Sequence, residues 1–371
     1  MFNFKVVQEI YRRYDFSFFG ISFIIFFIGL LNLYSVTSTS TIGHRAGLYK
    51  VQLAYFAVSI LAGFFVSLIN VKTIYRYSYL AYFFNIFLLI LVLVLGDVGM
   101  GARRWLVLGP LRLQPSEIMK ITTVLALGRW FSNNNPESSM GFKEIFIPFI
   151  ITMVPAFLII IEPDLGTGLL IVLIFSVIAF YRKLRWKTIG VISLLAIISG
   201  SVMYNFGLKD YQRRRIITFL NPDSDARGSG YNAIQSKIAI GSGQTFGKGF
   251  QKSSQASLNY LPENHTDFVF SVFNEEHGFL GALILIGLYC SLFYRLIWLS
   301  QSVSRMYQSI VAIGLMSIYF WHTLINMGMV MGMMPIVGLP LPLMSYGGSS
   351  LLTFGIACGV ATSISNSRNL F

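Results

Sequence analysis

The segment His265-Thr-Asp-Phe268 puts an aspartate, Asp267, at the mouth of a long apolar run that also carries Glu275 and Glu276. A carboxylate at the mouth of a membrane helix is costly to leave unpaired, so it marks a functional position by default. The plainer reading is an N-cap, since an aspartate just before an apolar run often does no more than that. From Asp267 to about Ser300 the run is too long for one span, which predicts an interfacial helix to Glu276 and a true span after Gly278 and Gly281. On the first of these, Asp267, Ser271 and Asn274 share one face.

Glu117 and Lys120 stand i, i+3 at the start of another apolar run, after Leu113-Gln-Pro-Ser116. On a helix they share a face and neutralise one another. A structural ion pair accounts for them, but ionisable residues inside membrane helices also tend to face a cavity and mark a pathway. Upstream, Gly101-Ala-Arg-Arg-Trp105 reads as a short re-entrant or interfacial segment. Its Arg103 and Arg104 suit an anion, and Trp105 suits headgroup level.

Two further turns carry polar groups. Glu162-Pro-Asp-Leu-Gly-Thr-Gly168 holds two acids and no base, with Pro163 ending one helix and Asp164 capping the next. Ser345-Tyr-Gly-Gly-Ser-Ser350 sets Ser345, Gly347 and Gly348 before a helix whose N–H groups would favour an anion. A connection spanning 207–278 carries Lys209, Arg213, Arg214, Arg215, Arg227, Lys237, Lys248 and Lys252 with little acid. Solvated loop charge explains it; so does an anionic partner beside the membrane carboxylates. Its many glycines and lack of an independent core predict mobility.

These residues need elements to hold them, and composition says which. The 371 residues are 55% hydrophobic and 12% charged, with mean hydropathy +0.66, and the apolar residues come in uninterrupted runs. The expected fold is an all-α polytopic membrane protein. Spans are predicted near 16–37, 50–70, 75–96, 115–132, 145–161, 164–181, 187–206, 279–299, 308–331 and 345–365, ten in all, in a single domain. The first, after Arg12 and Arg13, is too long for a signal-peptide core. Lys and Arg concentrate in alternate short loops, among them Tyr181-Arg-Lys-Leu-Arg-Trp-Lys187, which places both termini in the cytoplasm and the 207–278 connection outside, between spans seven and eight. All the chemistry-bearing segments then fall on the outer face. The net charge of +13 follows from flanking basic residues and does not call for nucleic acid. Cys290 and Cys358 lie in apolar runs and form neither a disulfide framework nor a metal site.

Taken together, Gly101-Ala-Arg-Arg-Trp105, Gln114-Pro-Ser-Glu117 with Lys120, Pro163-Asp-Leu-Gly-Thr167, His265-Thr-Asp-Phe268 with Glu275-Glu276, and Ser345-Tyr-Gly-Gly-Ser-Ser350 closely resemble the SEDS family (shape, elongation, division and sporulation), in family order over nearly the whole chain. Pro222-Asp-Ser-Asp-Ala-Arg-Gly228, the segment Gly230 to Gly243, and Gly338-Leu-Pro-Leu-Pro342 resemble its elongation (RodA-type) branch more than its division branch. The resemblance implies a peptidoglycan glycosyltransferase that polymerises lipid II outside the cytoplasmic membrane with a class B penicillin-binding protein. It makes Asp267 the essential acid, here read as general base, and assigns Glu117, Lys120 and Asp164 to the site. A divalent cation, Mg or Mn, is the one cofactor expectation. The chain departs from many members at Glu162, where a glutamine or small residue is usual. The alternative is a flippase for the same lipid, with Glu117, Lys120 and Asp164 along a translocation path. Clustering on one face favours the enzyme, since a transporter places ionisable groups near the midplane.

Overall fold

The computed structural model describes residues 16–39, 47–99, 102–109, 111–134, 140–191, 194, 210–225, 228–258, 260–261 and 263–368. They form helices α1 (Phe16–Thr39), α2 (Leu48–Leu68) and α3 (Val71–Leu95). A three-stranded meander follows: β1 (Asp97–Gly99), β2 (Ala102–Leu108) and β3 (Leu111–Leu113). Then come α4 (Pro115–Asn133), α5 (Phe142–Ile161) and α6 (Leu165–Tyr181), then α7 (Asp210–Leu220), a 3-10 turn Pro222–Asp225 and α8 (Ser229–Ser242). The chain closes with α9 (Val269–Ser302), α10 (Met306–Val330) and α11 (Gly348–Arg368). The protein is a multi-pass membrane protein: α1, α2, α3, α5, α9, α10 and α11 are long and apolar enough to cross a bilayer, and α6 is a shorter apolar helix. Every expected span coincides with a helix except 187–206, most of which lies outside the described residues.

The helices sort by what they bury. Phe65, Leu80, Phe83, Val94, Phe157 and Ile284 are more than half exposed, as side chains facing lipid tails should be. In contrast α4, which carries Glu117, Lys120 and Arg129, is buried along nearly its whole length and forms the bundle's centre. Glu117 and Lys120 have no lipid to face, while the half-buried Arg129 donates to Arg76 O at 2.6 Å. Polar bonds stitch the remaining helices together. Ser59 donates to Leu351 O at 2.6 Å, Asn32 to Val269 O at 3.1 Å, and Ser78 pairs with Tyr307 at 2.9 Å.

Three expectations need correction. The segment around Gly101–Trp105, expected to be re-entrant or interfacial, is not a re-entrant loop. Its described part belongs to the antiparallel β1–β2–β3 sheet, in which neighbouring strands satisfy each other's backbone groups. Among the described residues the regular structure is therefore helical except for this meander and one isolated bridge, Met140 to Leu184. Asp267 is not the N-cap of α9. That position is Phe268, with no side-chain capping bond, so Asp267 lies outside the helix face that Ser271 and Asn274 share.

The connection before Asp267 is not a coreless loop in its described part. It contains α7 and α8, and Ser236 of α8 bonds both Ser271 (2.7 Å) and Val330 O (2.6 Å). Its glycines serve close approach. Helix α9 breaks at Gly278, φ 66 and ψ −165, a conformation that a Cβ would strain. The backbone groups freed by the break are taken by the 244–249 strip. Lys248 N and Gly249 N donate to Glu275 O (2.9 Å) and Glu276 O (3.0 Å), while Phe279 N and Leu280 N donate to Gln244 O (2.8 Å) and Thr245 O (3.1 Å). A broken membrane helix is stable only where something re-satisfies its backbone, and here the connection does so. Glu275 adds a side-chain anchor, accepting from Lys248 (2.5 Å), Ser253 (2.5 Å) and Ser254 (2.7 Å).

Candidate active site

Asp267 sits in the turn 263–268, where Phe268 N and Thr266 N both donate to Glu263 O, at 3.3 and 3.2 Å. Each of the three carbonyls leading to α9 has a donor from another part of the chain. His265 O accepts from Tyr346 N at 3.0 Å, Thr266 O from Ser345 Oγ at 2.7 Å, and Asp267 O from Asn326 Nδ2 at 3.0 Å. The backbone beneath the carboxylate is thus fixed on three successive residues. Among the described residues no donor is bonded to the carboxylate itself. Burial, and then the nearby Glu263 carboxylate, push its pKa up from 3.8 to about 6, while Arg215 pulls it down. Gly338, at φ +74, lies across from it: a Cβ there would stand 3.3 Å from Asp267 Oδ2.

Ser345, Gly347 and Gly348 were expected to face an anion. The structure places them at the same end of the bundle but commits the Ser345 hydroxyl and the Gly347 N–H to the protein. Ser345 Oγ also accepts from Leu341 N at 2.8 Å, and Gly347 N donates to Gln52 Oε1 at 3.2 Å. Gly348 packs against the Tyr55 ring, where a Cβ would approach to 3.1 Å. Their visible work is to hold the Asp267 turn.

Glu117 and Lys120 form the expected pair, 2.8 Å apart and both buried. The sequence reading missed a third member. His322 of α10, fully buried, brings its Nε2 to 2.6 Å from Lys120 Nζ and its Nδ1 to 3.1 Å from Pro340 O. A lone histidine in an apolar span was the available signal, since buried ionisable groups there are rarely idle.

The Glu162 turn also lies at this end. Asp164 caps α6, accepting from Thr167 N at 3.3 Å, and accepts from Gln114 Nε2 at 3.2 Å. Arg104 donates to Glu162 O at 3.3 Å and to Pro163 O, tying the β-meander to this turn, while Arg103 is exposed. Glu162 is buried with neither carboxyl oxygen hydrogen-bonded. Burial first, then Asp164, raise its pKa to about 8 against the pull of Arg104. It is therefore protonated at neutral pH and adds no charge to the turn. Ser349 accepts from Gln114 N (3.2 Å) and donates to Arg112 O (2.9 Å), which closes the ring of segments.

Arg215 and Lys237 line a small cleft with Met329, Gly332 and Pro335. Lys209 and Arg227 of the basic connection lie outside the described residues, as does the Arg214 side chain. Among the described residues no three His, Cys, Asp or Glu side chains converge.

The chain is similar to proteins of known kind. The chain is 37% identical over 343 residues, 92% of each protein, to the peptidoglycan glycosyltransferase MrdB of Escherichia coli (strain K12). Its fold matches the rod shape determining protein RodA of Thermus thermophilus with a TM-score of 0.72 at 28% identity, over 96% of this chain and 98% of that one. It also matches a chain from a peptidoglycan synthase complex that coordinates polymerization and crosslinking, with a TM-score of 0.82 at 29% identity, over 96% of this chain and 99% of the other. Residues 15–370 match the family of cell cycle proteins that comprises FtsW, RodA and SpoVE, and the chain belongs to that family.

Proposed function

We propose that the chain is a peptidoglycan glycosyltransferase of the cytoplasmic membrane, spanning it ten times, with the Asp267 end outside. The observation that carries the reading is the carboxylate of Asp267, held by three backbone clamps and raised to a pKa of about 6, at the end of the bundle shared with Glu117, Lys120, Asp164 and Arg104. The donor is the lipid-linked disaccharide of lipid II. Asp267 takes the proton from the acceptor hydroxyl, whose oxygen attacks the anomeric carbon opposite the diphosphate. The new C–O bond forms as the bond to the diphosphate oxygen breaks, so an α-linked donor gives a β-linked glycan with no covalent sugar on the protein. A pKa near 6 leaves the carboxylate ionised at neutral pH yet more basic than an ordinary aspartate, as a general base requires.

The leaving diphosphate needs cations, and Arg215, Lys237, Arg103 and Arg104 supply side-chain charge at this end of the molecule. The proposed chemistry is carried by these side-chain cations; a Mg or Mn ion at the diphosphate would add charge of the same sign and would need only one or two carboxylates beside the phosphates. The partner is a class B penicillin-binding protein that crosslinks the strands, which suits the chain's likeness to a member of a synthase complex. The test is polymerisation of purified lipid II by the purified protein, with and without that partner. Glycan product in either case supports the reading, and none in both rejects it.

A further inference from the structure

Lys120 lies on α4 and Asp267 in the turn before α9, yet a path of hydrogen bonds linked through the 339–341 backbone joins them by way of His322. An ammonium group has only donors, so at 2.6 Å the Nε2 of His322 must be the acceptor from Lys120. The ring proton then sits on Nδ1, which donates to Pro340 O at 3.1 Å. Both neighbours of Pro340 in the chain belong to the cradle of the catalytic turn. Leu339 O accepts from Asn326 Nδ2 at 2.8 Å, and the same amide donates to Asp267 O. Leu341 N donates to Ser345 Oγ, which donates to Thr266 O. His322 and Asn326 stand i, i+4, so one face of α10 grips both the 339–341 strip and the turn.

We propose that His322 is a positioning residue that couples the Glu117–Lys120 pair to the Asp267 turn, through Lys120 at one ring nitrogen and Pro340 at the other. The proposal rests on the glycosyltransferase reading for its kinetic consequence but not for its structural one. Two substitutions separate the ends of the ring. His322→Gln keeps an acceptor near the Nε2 position and drops the bond to Pro340. His322→Asn keeps a donor near Nδ1 and drops the bond to Lys120.

The experiment uses the full-length protein with its penicillin-binding partner. It measures lipid II polymerisation and amide hydrogen exchange at Leu341 and Tyr346, whose amides hold Ser345 Oγ and His265 O. In both variants kcat should fall at least tenfold, with KM for lipid II changing less than threefold. Exchange at the two amides should speed at least tenfold in His322→Gln and stay within threefold of the parent in His322→Asn. A residue that merely fills space would not split the two variants in this way. Unchanged exchange in His322→Gln overturns the proposal whether or not the parent polymerises, and so does kcat above half of the parent in either variant. A parent protein without activity, alongside the predicted exchange pattern, would count against the glycosyltransferase reading alone.

Discussion

Asp267→Asn should abolish polymerisation while leaving the protein at least as stable as its parent. Asn keeps the size of the side chain, and the three clamps on the 265–267 carbonyls come from other residues, so the turn stays in place. The sign of the stability effect follows from the raised pKa. A carboxyl that holds its proton more tightly in the folded state favours folding below about pH 4, and that contribution is lost as pH rises to about 6. At pH 7 the ionised side chain therefore costs on the order of 3 kcal/mol, at about 1.4 kcal/mol per tenfold change in proton affinity. Asn removes that cost.

In the parent, the rate should follow the ionised fraction of Asp267. With a pKa of about 6, kcat/KM at pH 5 should lie about tenfold below its plateau. A pKa near the usual aspartate value would leave it within about 10% of the plateau at that pH. Glu263→Gln should move the acid limb to lower pH, and Arg215→Gln to higher pH, because the first removes a like charge and the second an opposite one. Initial rates of glycan formation from pH 4.5 to 8, with thermal unfolding of each variant at pH 7, provide the data. A flat profile down to pH 5, or Asp267→Asn activity above one tenth of the parent, would refute the reasoning.

Removing either charge of the Glu117–Lys120 pair should cost at least tenfold in polymerisation, and the charge-swapped double variant should not recover it, because only Lys120 in its present place reaches His322. Recovery in that double variant, measured as rate per folded protein, would reduce the pair to a structural one. Glu162→Gln should leave activity at pH 7 within about twofold, since the folded-state carboxyl is already neutral below about pH 8; because the unfolded carboxyl ionises above about pH 4.5, unfolding curves should show Gln the more stable already at pH 7 and somewhat more so at pH 9, with the difference shrinking as pH falls toward 4.5. Gly338→Ala should lower kcat at least tenfold, because it strains a left-handed backbone and brings a methyl to the Asp267 carboxylate; parent-like kinetics would show that this approach is relieved at no cost.

Long apolar runs made the spans legible, and run length alone predicted the break of α9 near Gly278, since 34 residues exceed what one span needs. Chemistry-bearing residues were legible as types at helix ends, and Glu117 with Lys120 also as a pair, because i, i+3 spacing is local. Long-range roles were not. Nothing near Asp267 in sequence announces that Ser345, Tyr346 and Asn326 donate to its turn, so Ser345 read as a ligand donor and Asp267 as a possible cap. The β-meander hid because its strands are short and their pairing rests on partners within one loop. His322 escaped because one histidine in an apolar span has no local partner, and its meaning depends on Lys120, 202 residues away in the chain. The glycines of the connection pointed to mobility, whereas Gly247 and Gly278 allow two backbones to meet at the break of α9.

The central claim is that this end of the bundle makes a bond rather than moving a lipid. Purified protein reconstituted with its penicillin-binding partner into vesicles, with lipid II supplied only in the leaflet that the Asp267 end faces, tests it most directly. The account predicts β-linked glycan strands on that side from the parent and none from Asp267→Asn, with no lipid II reaching the opposite leaflet faster than in empty vesicles. Transfer of intact lipid II across the bilayer without glycan formation, unaffected by Asp267→Asn, would contradict it.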